Sequence, residues 1–280
     1  MGPVTPLSGS IGVVVPTRNS ARTLARCLAS LRGQTRPCPV VVVDNYSGDE
    51  TQAIARRLAD RLVVAGPERS RQRNLGAAAL PTTIVGFIDS DMVVPPTMIE
   101  EVGIAMAGGA GAAIIPERSV GEGYWARVRA LERSACVGHR GVEAARFFRR
   151  EVLDAVGGWD EDLSIGEDRD LTLRAGRVTA FVRTQSLIDH DEGRLRFLDD
   201  VRKRSGYALG VEPFVRKHGW RALAEAIDRP YLRRPWRVAA SHPGLAVGLV
   251  ALKAGEAAAV AWGVARGRGP GWRPRAGERR

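Results

Sequence analysis

Cysteine, lysine and long apolar runs are scarce in this 280-residue sequence, and each shortage excludes a class of protein. The three cysteines, Cys27, Cys38 and Cys136, lack the spacing of metal ligands, and an odd number leaves no complete disulfide framework. Residues 1–10 contain no basic segment followed by an apolar one, so they do not resemble a secretory signal. We therefore expect a protein of the reducing cytoplasm.

Lysine occurs only at Lys203, Lys217 and Lys253, so nearly all of the 42 basic residues are arginines. The net charge of +11 indicates an anionic partner, which could be a nucleic acid, an anionic membrane or a phosphorylated substrate. Guanidinium groups suit planar phosphate recognition, although arginine usage can also reflect genome composition. Because no nucleic-acid-binding motif is present, we expect a phosphorylated substrate and an anionic membrane surface, and no nucleic acid.

Residues 193–265 are rich in basic and aromatic side chains. Their apolar stretches, 244–252 and 257–265, are separated by charged residues, and neither reaches the roughly 20 residues needed to span a bilayer. This pattern favours an amphipathic helical region lying in a membrane surface; a helix packed on the main domain and a true span are the alternatives. The tail, 266–280, is rich in Gly, Pro and Arg and is expected to be disordered.

Earlier in the chain, short apolar runs alternate with segments of helical periodicity. Runs of β-branched residues that end at turn residues predict strands, and apolar residues three or four apart predict amphipathic helices. This alternation predicts an α/β domain with a mostly parallel, nucleotide-binding sheet. The predicted strands are 11–15, 40–43, 84–88, 112–115, 144–149 and 179–182, and the predicted helices are 23–31, the segment of Ile54, Leu58 and Leu62, 68–74, 95–106 and 168–174.

Two carboxylates follow the predicted strand at 84–88, in the sequence Asp89-Ser90-Asp91. Strand alternation sends both acidic side chains to the same side, and ligands of open α/β sheets bind beyond the carboxyl ends of the strands. A divalent hard cation with a diphosphate fits such a place, and a pair of solvated turn residues is the alternative. Asp44, after the second strand, can accept a hydrogen bond from the amide or imide of a nucleotide base.

Other polar residues lie at predicted turns and helix ends. Asn45 and Ser47 are expected to shape the turn after the second strand, and Asp49 to cap the helix that follows. Glu167 and Asp168 lie at a predicted helix N-terminus. There they act as caps or, together with the upstream carboxylates, supply a general base.

Three more side chains have both a structural and a functional interpretation. Arg73, chosen from a helical segment with three arginines, reaches a diphosphate or belongs to a solvated basic face. His190 is structural or ligates the same metal as Asp91. Trp159, in a Gly-Gly-Trp-Asp turn, stacks on an acceptor sugar or belongs to the core.

Taken in order, six motifs resemble those of the GT-A-fold family 2 glycosyltransferases. They are Val-Pro-Thr-Arg-Asn at 15–19, Val-Asp-Asn-x-Ser at 43–47, Arg-Asn-x-Gly at 73–76, Asp-Ser-Asp at 89–91, Gly-Gly-Trp-Asp at 157–160 and Gly-Glu-Asp-x-Asp-Leu at 166–171. The resemblance covers 10–192 and implies a single Rossmann-like GT-A domain. It also implies a glycosyltransferase of the hexosyltransferase type, with a nucleoside-diphosphate sugar as donor, Mn²⁺ or Mg²⁺ as cofactor, and inversion at the anomeric carbon.

Carried over residue by residue, the resemblance implies a donor site, a metal site and a catalytic base. Asp168 would deprotonate the acceptor hydroxyl, with Glu167 assisting the acceptor or the fold. Asp91 would ligate the metal, and Asp89 would face the ribose or the metal. The residues implied around the base, ribose and phosphates are Pro16, Thr17, Arg18, Asp44 and Arg73.

The sequence departs from the family pattern in two respects. It lacks the Gln-x-x-Arg-Trp-type motif and the several long membrane helices of the processive members, which favours a single transfer. Arg18 stands where many relatives have an aromatic residue, which argues against base stacking there. We expect a peripheral enzyme on the cytoplasmic face of the plasma membrane, acting on a lipid-linked or other cell-envelope or exopolysaccharide glycan.

Two other function classes compete with this interpretation. The strand that ends in Asp89-Ser90-Asp91 also resembles the nucleophile strand of haloacid-dehalogenase-type phosphatases. Two strand-helix units precede it, however, whereas that motif usually opens its domain. A non-catalytic sugar-nucleotide-binding scaffold is the other class, and the presence of all the expected carboxylates argues against it.

Overall fold

The computed structural model describes residues 10–139, 141–209, 211–229, 231 and 235–265. The chain forms two compact units. The first contains the chain up to Arg118 with 143–161 and 167–191, and the second contains 119–142, 162–166 and the chain from Glu192 onward. The expected domain boundary between 192 and 193 stays a prediction, and the tail expected to be disordered lies outside the described residues.

Strands and helices alternate through most of the chain. In chain order the first elements are β1 (Ile11–Thr17), α1 (Ala21–Arg32), β2 (Val40–Asp44), α2 (Thr51–Leu58), β3 (Arg61–Val64), α3 (Arg69–Ala78), β4 (Ile84–Phe87), β5 (Met92–Val93), α4 (Met98–Ala107) and β6 (Ala112–Ile114). They are followed by β7 (Glu117–Glu122), α5 (Gly123–Ser134), β8 (Ala145–Arg149), α6 (Arg150–Val156), α7 (Glu167–Ala175), β9 (Phe181–Arg183), β10 (Ile188–Arg194), α8 (Phe197–Leu209), α9 (Glu212–Ile227), α10 (Pro235–Ser241) and α11 (Pro243–Ala265).

The first unit is organised around a seven-stranded sheet with the order β3-β2-β1-β4-β8-β6-β9. Strands β1, β2, β3 and β4 pair in parallel, as do β6 and β9, whereas β8 runs antiparallel to both of its neighbours. The predicted α/β class with a mostly parallel sheet is therefore confirmed. A smaller sheet has the order β5-β10-β7.

Both faces of the central sheet are buried, which explains why its strands are nearly continuous apolar runs. In β1, Val13 and Val15 pack into one hydrophobic cluster and Val14 packs into the other. Burial of each such side chain stabilises the fold by about 1.5–3 kcal/mol. The sheet is thus a rigid support for the residues that follow its strands.

One predicted helical position is wrong. Leu62 follows Ile54 and Leu58 at helical spacing, but α2 ends at Leu58 and Leu62 lies in β3, paired with Val42 of β2. The chain leaves the helix because Ala59 is extended and Asp60 accepts a hydrogen bond from the Val40 backbone N–H at 2.8 Å. Pairing with β2 therefore overrides a periodicity that continues the helix.

The second unit is mainly helical in its described residues, with α5, α8, α9, α10 and α11. The two apolar stretches, 244–252 and 257–265, belong to one continuous helix, α11. Among the described residues, 243–262 is the one segment long and apolar enough to cross a membrane, and 17% of it is buried.

The charged residues of α11 do not interrupt the helix because other helices of the second unit pair with them. Lys253 Nζ lies 2.5 Å from Glu132 Oε1 of α5 and 2.9 Å from Glu256 Oε2. Glu256 also pairs with the buried Arg129, whose Nε donates to Asp200 Oδ2 of α8 at 2.7 Å. The polar residues thus face the interior of the unit.

Candidate active site

The carboxyl ends of β1, β2 and β4 lie side by side at one edge of the central sheet. Thr17 and Asp44 are paired at the ends of β1 and β2, and Ile88, directly after β4, donates its N–H to Val14 O of β1 at 3.1 Å. Pro16 and Thr17 are buried, whereas Arg18 is exposed. The structure therefore brings the predicted base-and-ribose residues and the Asp89 turn to the same edge.

Asp44 is fully buried and bonded within its own loop. Its carboxylate accepts hydrogen bonds from the Ser47 N–H at 2.9 Å, from the Ser47 hydroxyl and from Gln52 Nε2 at 2.8 Å. Asp49 accepts from the N–H groups of Thr51 and Ala21, the first residues of α2 and α1. The turn-shaping role of Ser47 is thereby confirmed, and Asp44 also stabilises the turn. Asp49 binds the first N–H group of α2, although Glu50 and not Asp49 holds the N-cap position of that helix.

Thr17 has a feature that the sequence could not reveal. Its Oγ1 is buried and has no hydrogen-bond partner among the described residues. A buried hydroxyl without a partner is costly, so the atom is suited to a polar group of a bound ligand.

Arg73 of α3 lies at the centre of the site and is buried. Its guanidinium donates to Asp89 Oδ1 at 2.8 Å and to Glu167 Oε1 at 3.2 Å. The same group lies 4.3 Å from the centre of the Trp159 ring. Both of its terminal nitrogens are thus engaged by carboxylates, which places Arg73 beneath the site as a link between β4 and α7.

The Asp89 carboxylate lies between two guanidinium groups, because Oδ2 is also 3.5 Å from Arg146 of β8. Burial alone would raise the pKa of Asp89, but the positive charges of Arg73, Arg146 and Arg69 hold this pKa well below the usual carboxyl range. Asp89 is therefore ionised at any physiological pH. It accepts hydrogen bonds and does not act as an acid or a base.

Asp91 and His190 face each other on the other side of the Asp-Ser-Asp turn. His190 Nε2 lies 3.4 Å from Asp91 Oδ2, and His190 Nδ1 lies 3.4 Å from Glu117 Oε2. Strand β10 holds this arrangement, since His190 pairs with Met92 of β5. Glu117 also accepts from Arg146 Nε at 2.6 Å, so it contacts both the histidine and the Asp89 pair.

These residues fit a divalent metal in part. Asp91 Oδ1 is buried and accepts no hydrogen bond from the described residues, and a carboxylate with an imidazole suits Mn²⁺ or Mg²⁺. In the part of the chain that is described, no group of three or more His, Cys, Asp or Glu side chains is arranged to hold a metal ion. Asp89, a predicted ligand, is instead paired with arginines, so a metal here would need ligands from the substrate and water.

Glu167 and Asp168 form the first turn of α7, and they differ in environment. Glu167 is buried and pairs with Arg73 and with Arg69, whose guanidinium lies 3.3 Å away. Asp168 retains an exposed surface and accepts the Arg169 N–H at 2.7 Å. Desolvation by the surrounding protein and the negative charge of Glu167 both raise the pKa of Asp168, which strengthens Asp168 as a proton acceptor.

The Gly-Gly-Trp-Asp turn supports this arrangement from below. Gly157 and Gly158 have φ of 75° and 69°, and a Cβ at Gly158 would lie 2.8 Å from Asn74 Oδ1. Asn74 in turn binds the Trp159 backbone at both its N–H and its carbonyl. Trp159 is buried against Phe87, so the core interpretation of this ring is confirmed and the acceptor-wall interpretation is not.

Two residues of the candidate site, Arg146 and Glu117, were not predicted from the sequence. Their partners are 29 to 73 residues away in sequence, and no motif marks either residue. The one available signal was an arginine beside two phenylalanines in the run Ala-Arg-Phe-Phe-Arg at 145–149, because a charged side chain in a buried strand needs a partner.

Comparisons with known proteins agree with this geometry. The profile of the family described as glycosyl transferase family 2 matches residues 12–157. The chain is 30% identical over 239 residues to a pre-mycofactocin glycosyltransferase of Mycobacterium tuberculosis, which covers 77% of this chain and 50% of that protein. It is 28% identical over 190 residues to the succinoglycan biosynthesis protein ExoA of Rhizobium meliloti, which covers 59% of this chain and 58% of that protein.

The chain thus spans about half the length of the first relative. Among solved structures, the mannosyltransferase PcManGT from Pyrobaculum calidifontis in complex with GDP-Man and Mn²⁺ superposes with a TM-score of 0.57 at 22% identity, covering 92% of this chain and 80% of that chain. This likeness shows the GT-A fold, and the phosphatase interpretation of the Asp89 strand finds no support. Because the family profile covers more than half of the 280 residues, the chain belongs to glycosyl transferase family 2.

Proposed function

We propose that the protein is an inverting, metal-dependent glycosyltransferase that moves one sugar from a nucleoside-diphosphate sugar to an acceptor hydroxyl. The observation that carries the proposal is the double pairing of Arg73. It joins Asp89, beside the expected donor site, to Glu167, next to the expected base. One buried guanidinium therefore fixes the donor side and the acceptor side of the reaction with respect to each other.

Asp168 is the proposed general base. It accepts the proton of the acceptor hydroxyl as that oxygen attacks the anomeric carbon, and the bond from the anomeric carbon to the diphosphate oxygen breaks. Its raised pKa strengthens it as a base, while its exposed surface leaves it open to an acceptor. Glu167, paired with Arg73 and Arg69, positions the first turn of α7 and so orients Asp168.

The donor side is formed by the strand ends. Thr17 and the Asp44 loop surround the base and ribose, and the permanently ionised Asp89 accepts hydrogen bonds from donor hydroxyls. Asp91 and His190 would hold Mn²⁺ or Mg²⁺ together with the donor phosphates. When bound, the ion neutralises charge that develops on the departing diphosphate.

The acceptor is proposed to be a lipid-linked or other membrane-proximal glycan of cell-envelope or exopolysaccharide synthesis, reached from the cytoplasmic face. The net charge of +11 and the largely unburied apolar α11 support contact with an anionic membrane. A relative that is named for succinoglycan biosynthesis supports a polysaccharide product. The absence of the processive motif supports a single transfer.

Slow hydrolysis of the donor tests the reaction and its stereochemistry without knowledge of the acceptor. UDP-α-glucose, UDP-α-GlcNAc and GDP-α-mannose are incubated with Mn²⁺ and the wild type or Asp168→Asn, and the released sugar is followed by proton NMR before mutarotation. An inverting enzyme releases the β-anomer from one donor, and the variant releases it far more slowly. Release of the α-anomer, or equal rates for the two proteins, would contradict the proposal.

A further inference from the structure

An aromatic cavity opens on the second unit, and none of the residues assigned to the reaction lines it. Its volume is about 660 Å³. The Trp125 ring lies 4.8 Å from the Phe197 ring and 5.0 Å from the Tyr124 ring, measured between centroids. Gly123, Leu195 and two arginines complete the lining. Three clustered aromatic rings around an open cavity present flat apolar surface to a ligand.

The two arginines give this cavity its charge. Arg194 ends β10, Arg196 precedes α8, and both side chains are exposed. Among the residues that the structure describes, neither guanidinium pairs with a carboxylate. Both are therefore available to an anion, and a guanidinium is well suited to the planar, multi-oxygen face of a phosphate.

The cavity adjoins the N-terminal part of α11. The Tyr124 hydroxyl donates to Gly244 O at 2.6 Å, in the first turn of that helix, and Gly248 packs closely on the same ring. Beyond this contact α11 presents Val247 and Val250 to solvent, each 71% exposed. A charged aromatic cavity thus contacts a helix that exposes apolar side chains.

We propose that this cavity, here called the headgroup cavity, binds the phosphate of an anionic phospholipid while α11 lies along the same leaflet. Arg194 and Arg196 contact the phosphodiester, and the rings of Tyr124 and Trp125 lie at headgroup level, where aromatic residues are favoured. The inference rests on the membrane contact of the proposed function and adds the surface and the lipid chemistry that provide it.

The burial pattern of α11 favours a helix that lies on the membrane over one that crosses it. Lys253 and Glu256 are paired with Glu132 and Arg129 of α5 inside the second unit. A crossing helix would leave these partners and carry unpaired charges into lipid, which is costly. A second copy of the chain fits this surface poorly. A symmetric contact would bring Arg194 and Arg196 of one copy against the same two arginines of the other copy, and like charges repel.

Vesicle flotation at moderate salt tests the inference. The vesicles are pure phosphatidylcholine or contain 30% phosphatidylglycerol, and the proteins are the wild type, Arg194→Ala/Arg196→Ala and a matched control, Arg57→Ala/Arg177→Ala. The control loses the same two charges from exposed positions of the first unit. Two basic side chains at a membrane surface contribute about 30-fold in affinity, so the cavity variant should lose roughly that factor on anionic vesicles and the control less than about threefold.

Four results would overturn the inference. Equal losses in the two variants would mean that only net charge matters, and unchanged binding of the cavity variant would place the membrane contact elsewhere. Failure of the wild type to bind anionic vesicles, while it still binds nucleotide, would remove the membrane contact but leave the proposed reaction intact. A concentration-dependent dimer that Val247→Ser/Val250→Ser dissolves, with no vesicle binding, would assign the surface to a second copy.

Discussion

Replacement of Arg73 by alanine is expected to lower the free energy of unfolding by about 3 kcal/mol. Arg73 is 4% exposed and pairs with Asp89 and Glu167, so the substitution leaves two carboxylates without their shared partner. Loss of one member of a buried ion pair typically costs about 3–5 kcal/mol. The lower end applies here because Arg146 still faces Asp89 at 3.5 Å and Arg69 still faces Glu167 at 3.3 Å.

Urea unfolding followed by circular dichroism measures this change, and Arg69→Ala is its control. Arg69 contacts the same glutamate but is 51% exposed, so its loss should cost less than about 1 kcal/mol. Arg73→Lys keeps the charge but loses the planar guanidinium that reaches both carboxylates. Its loss of unfolding free energy should therefore lie between those of Arg73→Ala and Arg69→Ala. A loss below about 1 kcal/mol for Arg73→Ala, or a loss equal to that of Arg69→Ala, would refute the central role of Arg73.

Three further predictions concern the base, the metal side and the turn below the site. Asp168→Asn should lower kcat by a factor of about 10²–10⁴ with nucleotide affinity unchanged, and the wild-type rate should fall as pH falls through the raised pKa of Asp168, above the ordinary carboxyl value of about 4. Glu117→Gln should weaken Mn²⁺ binding in the presence of nucleotide by roughly tenfold, by calorimetry, because Glu117 orients His190. Gly158→Ala should lower the free energy of unfolding by about 1–2 kcal/mol, since φ is 69° and the new Cβ would meet Asn74.

Each of these predictions has an outcome that would contradict it. A full rate for Asp168→Asn, or the same acidic limb in its pH profile, would assign the base to another group. Unaltered Mn²⁺ affinity in Glu117→Gln would show that His190 needs no support or is not a ligand. A Gly158→Ala protein as stable as the wild type would mean that the turn relaxes without disturbing Asn74.

The fold was largely predictable because its local signals and its tertiary packing agree. Strands β1, β2 and β4 are β-branched runs between turn residues, and burial on both faces of a parallel sheet produces that pattern. Strand β3 was missed because Leu62 continues the helical spacing of Ile54 and Leu58, and only pairing with β2 distinguishes the two structures. The inward placement of Lys253 in α11 depends likewise on Glu132, a partner that lies more than 100 residues earlier.

The candidate site was predictable in its motifs but not in its connections. The sequence placed Asp89 and Asp91 together, since they follow one strand, yet their environments differ: arginines surround Asp89, and Asp91 faces His190. The protein neutralises Asp89 partly through Arg146. Arg146 lies in β8, and in the chain β8 follows residues 119–142, which belong to the second unit. Distant contacts of this kind leave no periodic trace in a single sequence.

Calorimetric titration of UDP and GDP, each with and without Mn²⁺, into the wild type and Asp91→Ala tests whether Asp91 holds a metal ion at the donor site. We expect that one nucleotide binds the wild type in a Mn²⁺-dependent manner and that the substitution removes this dependence, because Asp91, whose Oδ1 is buried and accepts no hydrogen bond from the described residues, is the proposed metal ligand. Equal binding with and without the ion, or Mn²⁺-dependent binding that survives in Asp91→Ala, would contradict it.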